Sequence, residues 1–285
     1  MWGDWDLLPL LQLINILLPL GYLLAVLGYF ALYVGDPPWG RRSVPRWTRF
    51  LAVVHAAYLI MAAATFQHVP VANVWEAFTF IAFAITSVYV ILEWRLGSRA
   101  TGVFLLTPAF VFQVLASAFI SHTREVEEIL QSSWFGVHVT TALLGFAALA
   151  IAGAYGMLYV LLYSSLKGSK VGLVFQRLPD LDTLGRLNWH ALVFGWGNLT
   201  LAILIGVLWV SGLESRGEIA GNFIYDPKFL STVVIWALYG ACLGGRLLFR
   251  WSSRRLAAIS VVAFGLMLAS SMVIGLFLES FHRFG

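Results

Sequence analysis

The chain has 285 residues, 60% of them hydrophobic and only 11% charged, with a mean hydropathy of +0.84. Soluble domains carry about 45–50% apolar and about 25% charged residues, so a water-soluble globule, a disordered chain and a secreted disulfide scaffold are all excluded. One cysteine, Cys242, rules out an intramolecular disulfide, a CxxC redox pair and a cysteine-based zinc site, and the net charge of +4 has to be read by its position along a membrane protein.

Long apolar runs, with 15% aromatics and twelve Trp, predict helices with interfacial belts and not the short alternating strands of a membrane barrel. A spanning helix needs about 20 apolar residues. Eight stretches qualify: residues 7–34, 47–66, 74–94, 101–120, 134–163, 189–211, 229–249 and 256–278. The fold class is therefore an all-α integral membrane protein, a bundle of about eight transmembrane helices. The first stretch is too long for a signal-peptide core and is led by Asp4 and Asp6 instead of a basic segment, so it is expected to be retained.

No soluble domain fits between the spans. Residues 121–133 hold Glu125-Val126-Glu127-Glu128-Ile129-Leu130, which reads as a short amphipathic helix on the bilayer surface. In 164–188, Arg177-Leu178-Pro179-Asp180-Leu181-Asp182-Thr183-Leu184 predicts a surface helix capped near Asp180. Residues 212–228 form the other sizeable loop.

The basic residues sort to one side. Arg41, Arg42, Arg46, Arg49, Arg95, Arg99, Lys167, Lys170, Arg177, Arg186, Arg246, Arg250, Arg254 and Arg255 share one face of the membrane, against only Arg124, Arg216, Lys228 and Arg283 on the other. The positive-inside rule then places both termini outside the cytoplasm. The basic balance reports this orientation and needs no nucleic acid to explain it.

Ionisable residues at membrane depth are candidate functional sites, because an unpaired charge or imidazole is costly in hydrocarbon. His138 opens the fifth span, roughly 6 Å below its outer end at ~1.5 Å per residue, and His282 follows the eighth. The orientation brings both to the outer level, where two imidazoles on different segments are what bis-histidine ligation of a haem iron needs. A single histidine near a helix end is also commonly an interfacial polar residue, and His68 and His122 are alternatives on the same side. His55, near the middle of the second span, reads first as a polar residue bonded to a neighbouring helix. Glu76, just inside the third span, divides evenly between an interfacial polar residue and a functional one. A di-haem arrangement fails for want of a second helix with a matching histidine pair. The glycines Gly145, Gly153 and Gly156, with Gly195, Gly197 and Gly206, mark close helix packing and leave room for a planar ligand.

The chain resembles the cytochrome c assembly proteins of the CcsA, ResC and HemX type, most clearly over 73–285, which would make the whole chain a single transmembrane domain of that kind. The matching pieces, in order, are Asn73-Val74-Trp75-Glu76-Ala77, Phe135-Gly136-Val137-His138-Val139-Thr140, Leu178-Pro179-Asp180-Leu181-Asp182-Thr183-Leu184, Tyr225-Asp226-Pro227-Lys228 and Leu278-Glu279-Ser280-Phe281-His282. The resemblance implies haem, of b type and non-covalently held, bound at the extracytoplasmic face by His138 and His282, with Phe223, Tyr225 and Asp226 lining or ordering the site. It also implies residence in the cytoplasmic membrane of a prokaryote. The implied role is cytochrome c biogenesis, as a component of a haem-attachment complex without independent activity, whose partners are an extracytoplasmic assembly protein and apocytochrome c.

Two departures stand out. The family's loop pattern Trp-Gly-x-x-Trp-x-Trp-Asp is reduced here to Ile219-Ala220-Gly221-Asn222-Phe223-Ile224-Tyr225-Asp226, without a tryptophan, and Ala241-Cys242-Leu243-Gly244-Gly245-Arg246 lacks the histidine of synthase-type members. Both point toward the HemX-like branch, for which the alternative role is regulation of haem synthesis through glutamyl-tRNA reductase abundance.

Overall fold

A computed structural model describes residues 7–277 apart from 72, 98, 121–131, 169–171, 173–175 and 218–222. Eight long helices account for nearly all of them: α1 (Leu8–Gly35), α2 (Gly40–Phe66), α3 (Val74–Leu96), α4 (Gly102–Phe119), α5 (Ser133–Lys167), α6 (Leu181–Ser215), α7 (Pro227–Phe249) and α8 (Ser253–Phe277). A 3-10 turn, Phe223–Tyr225, precedes α7. All eight helices are long and apolar enough to cross a membrane, and no strand occurs among the described residues. The protein is a multi-pass helical membrane protein.

The helix boundaries differ from the apolar stretches for a physical reason. Hydropathy ends where charge begins, but an α-helix continues until its backbone is capped. Thus α2 begins at Gly40 and carries Arg41, Arg42 and Arg46 before its apolar part, while α5 runs on to Lys167. The separate surface helix expected at 177–184 is corrected in the same way. Asp180 does cap a helix, its carboxylate accepting from the Thr183 amide at 2.8 Å and from the Thr183 hydroxyl at 2.9 Å. That helix is α6 itself, uninterrupted to Ser215. The amphipathic segment expected at 121–133 lies almost wholly outside the described residues.

Side-chain caps start two further helices. Asn73 Oδ1 accepts from the Trp75 and Glu76 amides at 3.0 and 2.9 Å and opens α3. Asp226 Oδ1 accepts from the Lys228 and Phe229 amides at 2.9 and 3.0 Å, and Pro227 occupies the first turn of α7, where a missing N–H costs nothing.

The chain divides into two compact units, residues 1–136 with 169–179, and residues 137–168 with 180–285. In the first, α1 packs on α2 and α4, and α3 packs on α2 and α4, a four-helix ring whose interior holds Tyr22, Tyr29, Tyr58 and Tyr89 fully buried. In the second, α6, α7 and α8 pack on one another. Helix α5 joins them through glycines: a Cβ on Gly145 would sit 2.9 Å from the Leu199 backbone nitrogen, one on Gly195 2.9 Å from that of Leu149, and one on Gly156 2.6 Å from the Ala257 carbonyl. Without side chains at these points, backbones approach closely, which in lipid substitutes dispersion for a hydrophobic drive that is absent there.

Candidate functional site

The site is built around His138, in the second turn of α5. Its imidazole reaches the face of α6 formed by Ala202, Gly206 and Trp209, which recur at helical spacing. His138 Nδ1 lies 2.9 Å from the Ala202 carbonyl oxygen. A carbonyl only accepts, so Nδ1 carries the proton and donates, and in the neutral ring the lone pair resides on Nε2. This arrangement orients metal-ligating histidines generally, with the second nitrogen bonded to a backbone carbonyl or carboxylate.

Gly206 makes that contact possible. A Cβ at this position would stand 2.7 Å from His138 Cε1 and 2.8 Å from Nδ1, so only a residue without a side chain lets the ring lie against α6. The Trp209 indole is the next wall, its centroid 6.5 Å from the imidazole's and tilted by 37°. The Lys228 ammonium, in the first turn of α7, is close enough to act on the imidazole electrostatically. It belongs to the same unit and is separated from Tyr225 and Asp226 only by Pro227.

The remaining sequence candidates fall out as follows. Asp226 is buried and spends its carboxylate on the α7 cap, so what it does in the structure is order the turn that carries Tyr225. Tyr225 is 74% exposed. Phe223 lies in the 3-10 turn. His282 and His122 lie outside the described residues. His55 is buried between Tyr22 and Thr79 in the first unit, with its Nδ1 2.9 Å from Tyr22 Oη and its Nε2 3.0 Å from Thr79 Oγ1. His68 is buried, Nδ1 donating to the Val69 carbonyl at 2.9 Å. Glu76, whose amide is one of the two that Asn73 Oδ1 caps, is buried in the same unit.

Ala202 and Trp209 drew no attention in the sequence, and Lys228 stood out only as a basic residue and as part of the Tyr225-Asp226-Pro227-Lys228 match. An alanine carbonyl has no sequence signature at all. Gly206 stood out only as a packing glycine, and its relation to His138 depends on the rotation of α6 against α5, which no periodicity fixes. Tryptophan absent from the loop is supplied beside the imidazole by α6 instead.

An oriented imidazole against an indole, in the second turn of a helix long and apolar enough to span a membrane, is an arrangement whose free Nε2 can ligate a metal. Residues 48–282 match the model of the cytochrome c assembly protein family, and the chain belongs to that family. Among curated relatives, the cytochrome c biogenesis protein CcsA of Thermosynechococcus vestitus (strain NIES-2133 / IAM M-273 / BP-1) is 24% identical over 257 residues, covering 76% of this chain and 78% of the relative. The CcsA of Chlamydomonas reinhardtii is 26% identical over 227 residues, 76% of this chain and 61% of that protein. Protein HemX of Bacillus subtilis (strain 168) is 27% identical over 243 residues, 84% of this chain and 83% of that protein. Haem binding is expected for the family.

Proposed function

We propose that the protein binds haem at the extracytoplasmic face of a prokaryotic cytoplasmic membrane and acts in cytochrome c biogenesis. The observation that carries this reading is the donation from His138 Nδ1 to the Ala202 carbonyl over Gly206, which leaves Nε2 as the ligating nitrogen. The donor set fits a non-covalent, b-type haem: an imidazole for the iron, indole and phenol faces in Trp209 and Tyr225 for the macrocycle, and Lys228 for its carboxylates. In this reading His282 would be the second residue to hold the iron. Haem supplies the redox-active iron and the vinyl groups. With haem bound, His138 and His282 would hold the iron, while the Ala202 carbonyl fixes the His138 tautomer and the Asp226 cap orders the Tyr225 turn. Thioether formation on a CxxCH apocytochrome needs reduced thiols from a partner, because Cys242 is buried and is the chain's one cysteine.

The test is spectroscopic. Protein purified from haem-replete cells should show the sharp reduced α and Soret bands of bis-histidine haem, and His138→Ala or His282→Ala should each weaken them. Bands indifferent to both substitutions would remove the site.

A second reading, regulation of haem synthesis through glutamyl-tRNA reductase abundance, is favoured by the tryptophan-free loop and by the wider span shared with HemX, 84% of this chain against 76% for the CcsA of Thermosynechococcus vestitus. Deleting the gene and measuring both covalent c-type cytochromes and the reductase separates the two, since each reading predicts a change in only one.

A further inference from the structure

The side chains that the His138 site leaves unused include a block of arginines around the turn between α7 and α8. From Phe229 to Leu278 the sequence holds Arg246, Arg250, Arg254 and Arg255 and no aspartate or glutamate. All four are exposed. Lys167, exposed at the end of α5 and one turn beyond Tyr163, adds a fifth cation on the helix face that carries Tyr163. The carboxylates at this end of the unit stand at the start of α6. Asp180 is spent on its cap and meets the charge of Arg186, and Asp182 acts on Tyr159, as Arg254 does. The turn therefore carries a surplus of positive charge.

The backbone that displays these charges is fixed. The Arg250 and Trp251 amides both donate to the Gly245 carbonyl, the latter at 3.1 Å, with Arg250 in the left-handed region at φ 52°. The Trp251 indole lies directly on Gly245, where any Cβ would collide with the ring. Two guanidiniums are held as well. Arg246 Nη1 donates to the Trp251 carbonyl at 2.8 Å. The Arg254 guanidinium sits 4.4 Å from the centroid of the Tyr163 ring and donates through Nη1 to Tyr163 Oη at 3.2 Å. A guanidinium presents its N–H donors in a rigid fork that matches phosphate oxygens, and each of these two spends one donor on the protein.

The turn lies where two spans end, α7 at Phe249 and α8 from Ser253, which is the level of the lipid headgroups. Leu247, Leu248 and Phe249 are strongly exposed there. They form an apolar shelf between Arg246 and Arg250, against which the acyl chains of a bound phospholipid rest and for which a soluble anion has no use. The positive-inside rule accounts for the number of arginines, since it counts charge alone. It does not account for a guanidinium fastened to a neighbouring helix by an aromatic face and a hydroxyl.

We infer that the α7–α8 turn is a binding surface for an anionic phospholipid, its phosphodiester held by Arg246, Arg250, Arg254 and Arg255 and its acyl chains by Leu247, Leu248 and Phe249. Basic surfaces at the ends of transmembrane helices bind such headgroups in general. This chain adds a pre-set orientation, with Tyr163 positioning Arg254 and the Trp251 carbonyl positioning Arg246. The inference rests on α5, α7 and α8 and is independent of haem.

The test is native mass spectrometry of the full-length protein in neutral detergent, titrated with dioleoyl phosphatidylglycerol, dioleoyl phosphatidylcholine and inorganic phosphate. The wild type should bind phosphatidylglycerol more tightly than phosphatidylcholine, and excess phosphate should not displace it. Arg254→Gln should weaken phosphatidylglycerol binding about fivefold, the worth of one basic side chain at an anionic surface. Tyr163→Leu, which changes no charge, should weaken it too, while Arg42→Gln, at an exposed arginine of α2, should leave it unchanged. Size-exclusion profiles and thermal unfolding confirm that each variant is folded, and Arg254→Gln against Arg42→Gln decides alone if Tyr163→Leu does not fold. Phosphatidylglycerol bound no better than phosphatidylcholine, displacement by phosphate, or equal losses in Arg254→Gln and Arg42→Gln overturns the inference, as does a folded Tyr163→Leu that binds like the wild type.

Discussion

The tightest constraint on the candidate haem site is the gap over Gly206. A methyl group there would overlap the imidazole at 2.7–2.8 Å, and because α6 backbone cannot retreat from α5, the ring has to swing off and give up the Ala202 carbonyl. Losing the hydrogen-bond partner that orients a metal-ligating histidine typically costs roughly 10–100-fold in metal affinity. Gly206→Ala is therefore expected to weaken haem binding by about that range in a Soret titration, with the fold retained. Gly197→Ala, where an added Cβ meets nothing within 4 Å, is the matched control and should bind as the wild type does. Equal affinities for the two variants would mean that the imidazole does not ligate through Nε2 in this orientation.

At the level of elements, the segments that carry the family resemblance turn out to be largely helix starts. Asn73 caps α3, Asp180 caps α6 and Asp226 caps α7. Each has a local physical role, since it satisfies amide groups that a helix cannot satisfy itself. The existence of all eight spans was legible because twenty apolar residues have few other fates. Their ends were not, because Arg41 to Arg49 in α2 and Leu181 to Asn188 in α6 interrupt hydropathy without interrupting the backbone ladder. Asn188 shows why the polar turn can enter the bundle: its Nδ2 donates to the Ala152 carbonyl of α5 at 2.7 Å. His138 was legible as a candidate from its depth alone, whereas of its orienting partners the Ala202 carbonyl leaves no trace in residue type and Gly206 reads only as a packing glycine.

The Asp180 cap also makes a pH prediction. The Thr183 amide bond, joined by the Thr183 hydroxyl and the charge of Arg186, holds the Asp180 carboxyl below its ordinary range. A carboxyl whose folded pKa is lowered contributes stability that is complete above its unfolded value and is lost as pH falls through the folded one. The wild type should thus lose, on acidification below about pH 4, any advantage it holds at neutral pH over Asp180→Asn, which keeps a cap without the charge. Asp180→Ala removes the cap at every pH, for about 1 kcal/mol. Thermal unfolding in detergent across the acid range measures both. A constant gap between the wild type and Asp180→Asn would show that the cap acts through hydrogen-bond geometry alone.

At the scale of the whole molecule, the two units solve the problem of cohesion in lipid differently. The α1–α4 unit does so with buried tyrosines and a hydrogen-bonded polar interior, the α5–α8 unit with glycines that let α5 lie close against α6 and α8. Both solutions leave the question of sidedness to the charges at the helix ends. Arg246, Arg250, Arg254 and Arg255 cluster around the α7–α8 turn, and Arg254 is held over the Tyr163 ring at 4.4 Å with a hydrogen bond to its hydroxyl at 3.2 Å. The positive-inside rule predicts that this turn faces the cytoplasm and that the start of α5, with His138, faces out. The single buried Cys242 makes the orientation directly measurable, since Cys242→Ala gives a cysteine-free background at the cost of one small core side chain. On that background Ser133→Cys, exposed at the start of α5, should react with a membrane-impermeant maleimide in intact cells. Ser252→Cys, exposed in the α7–α8 turn, should react only after permeabilisation. The opposite pattern would place His138 on the cytoplasmic side, where no haem-receiving apocytochrome c is assembled, and the proposed function would fall with it.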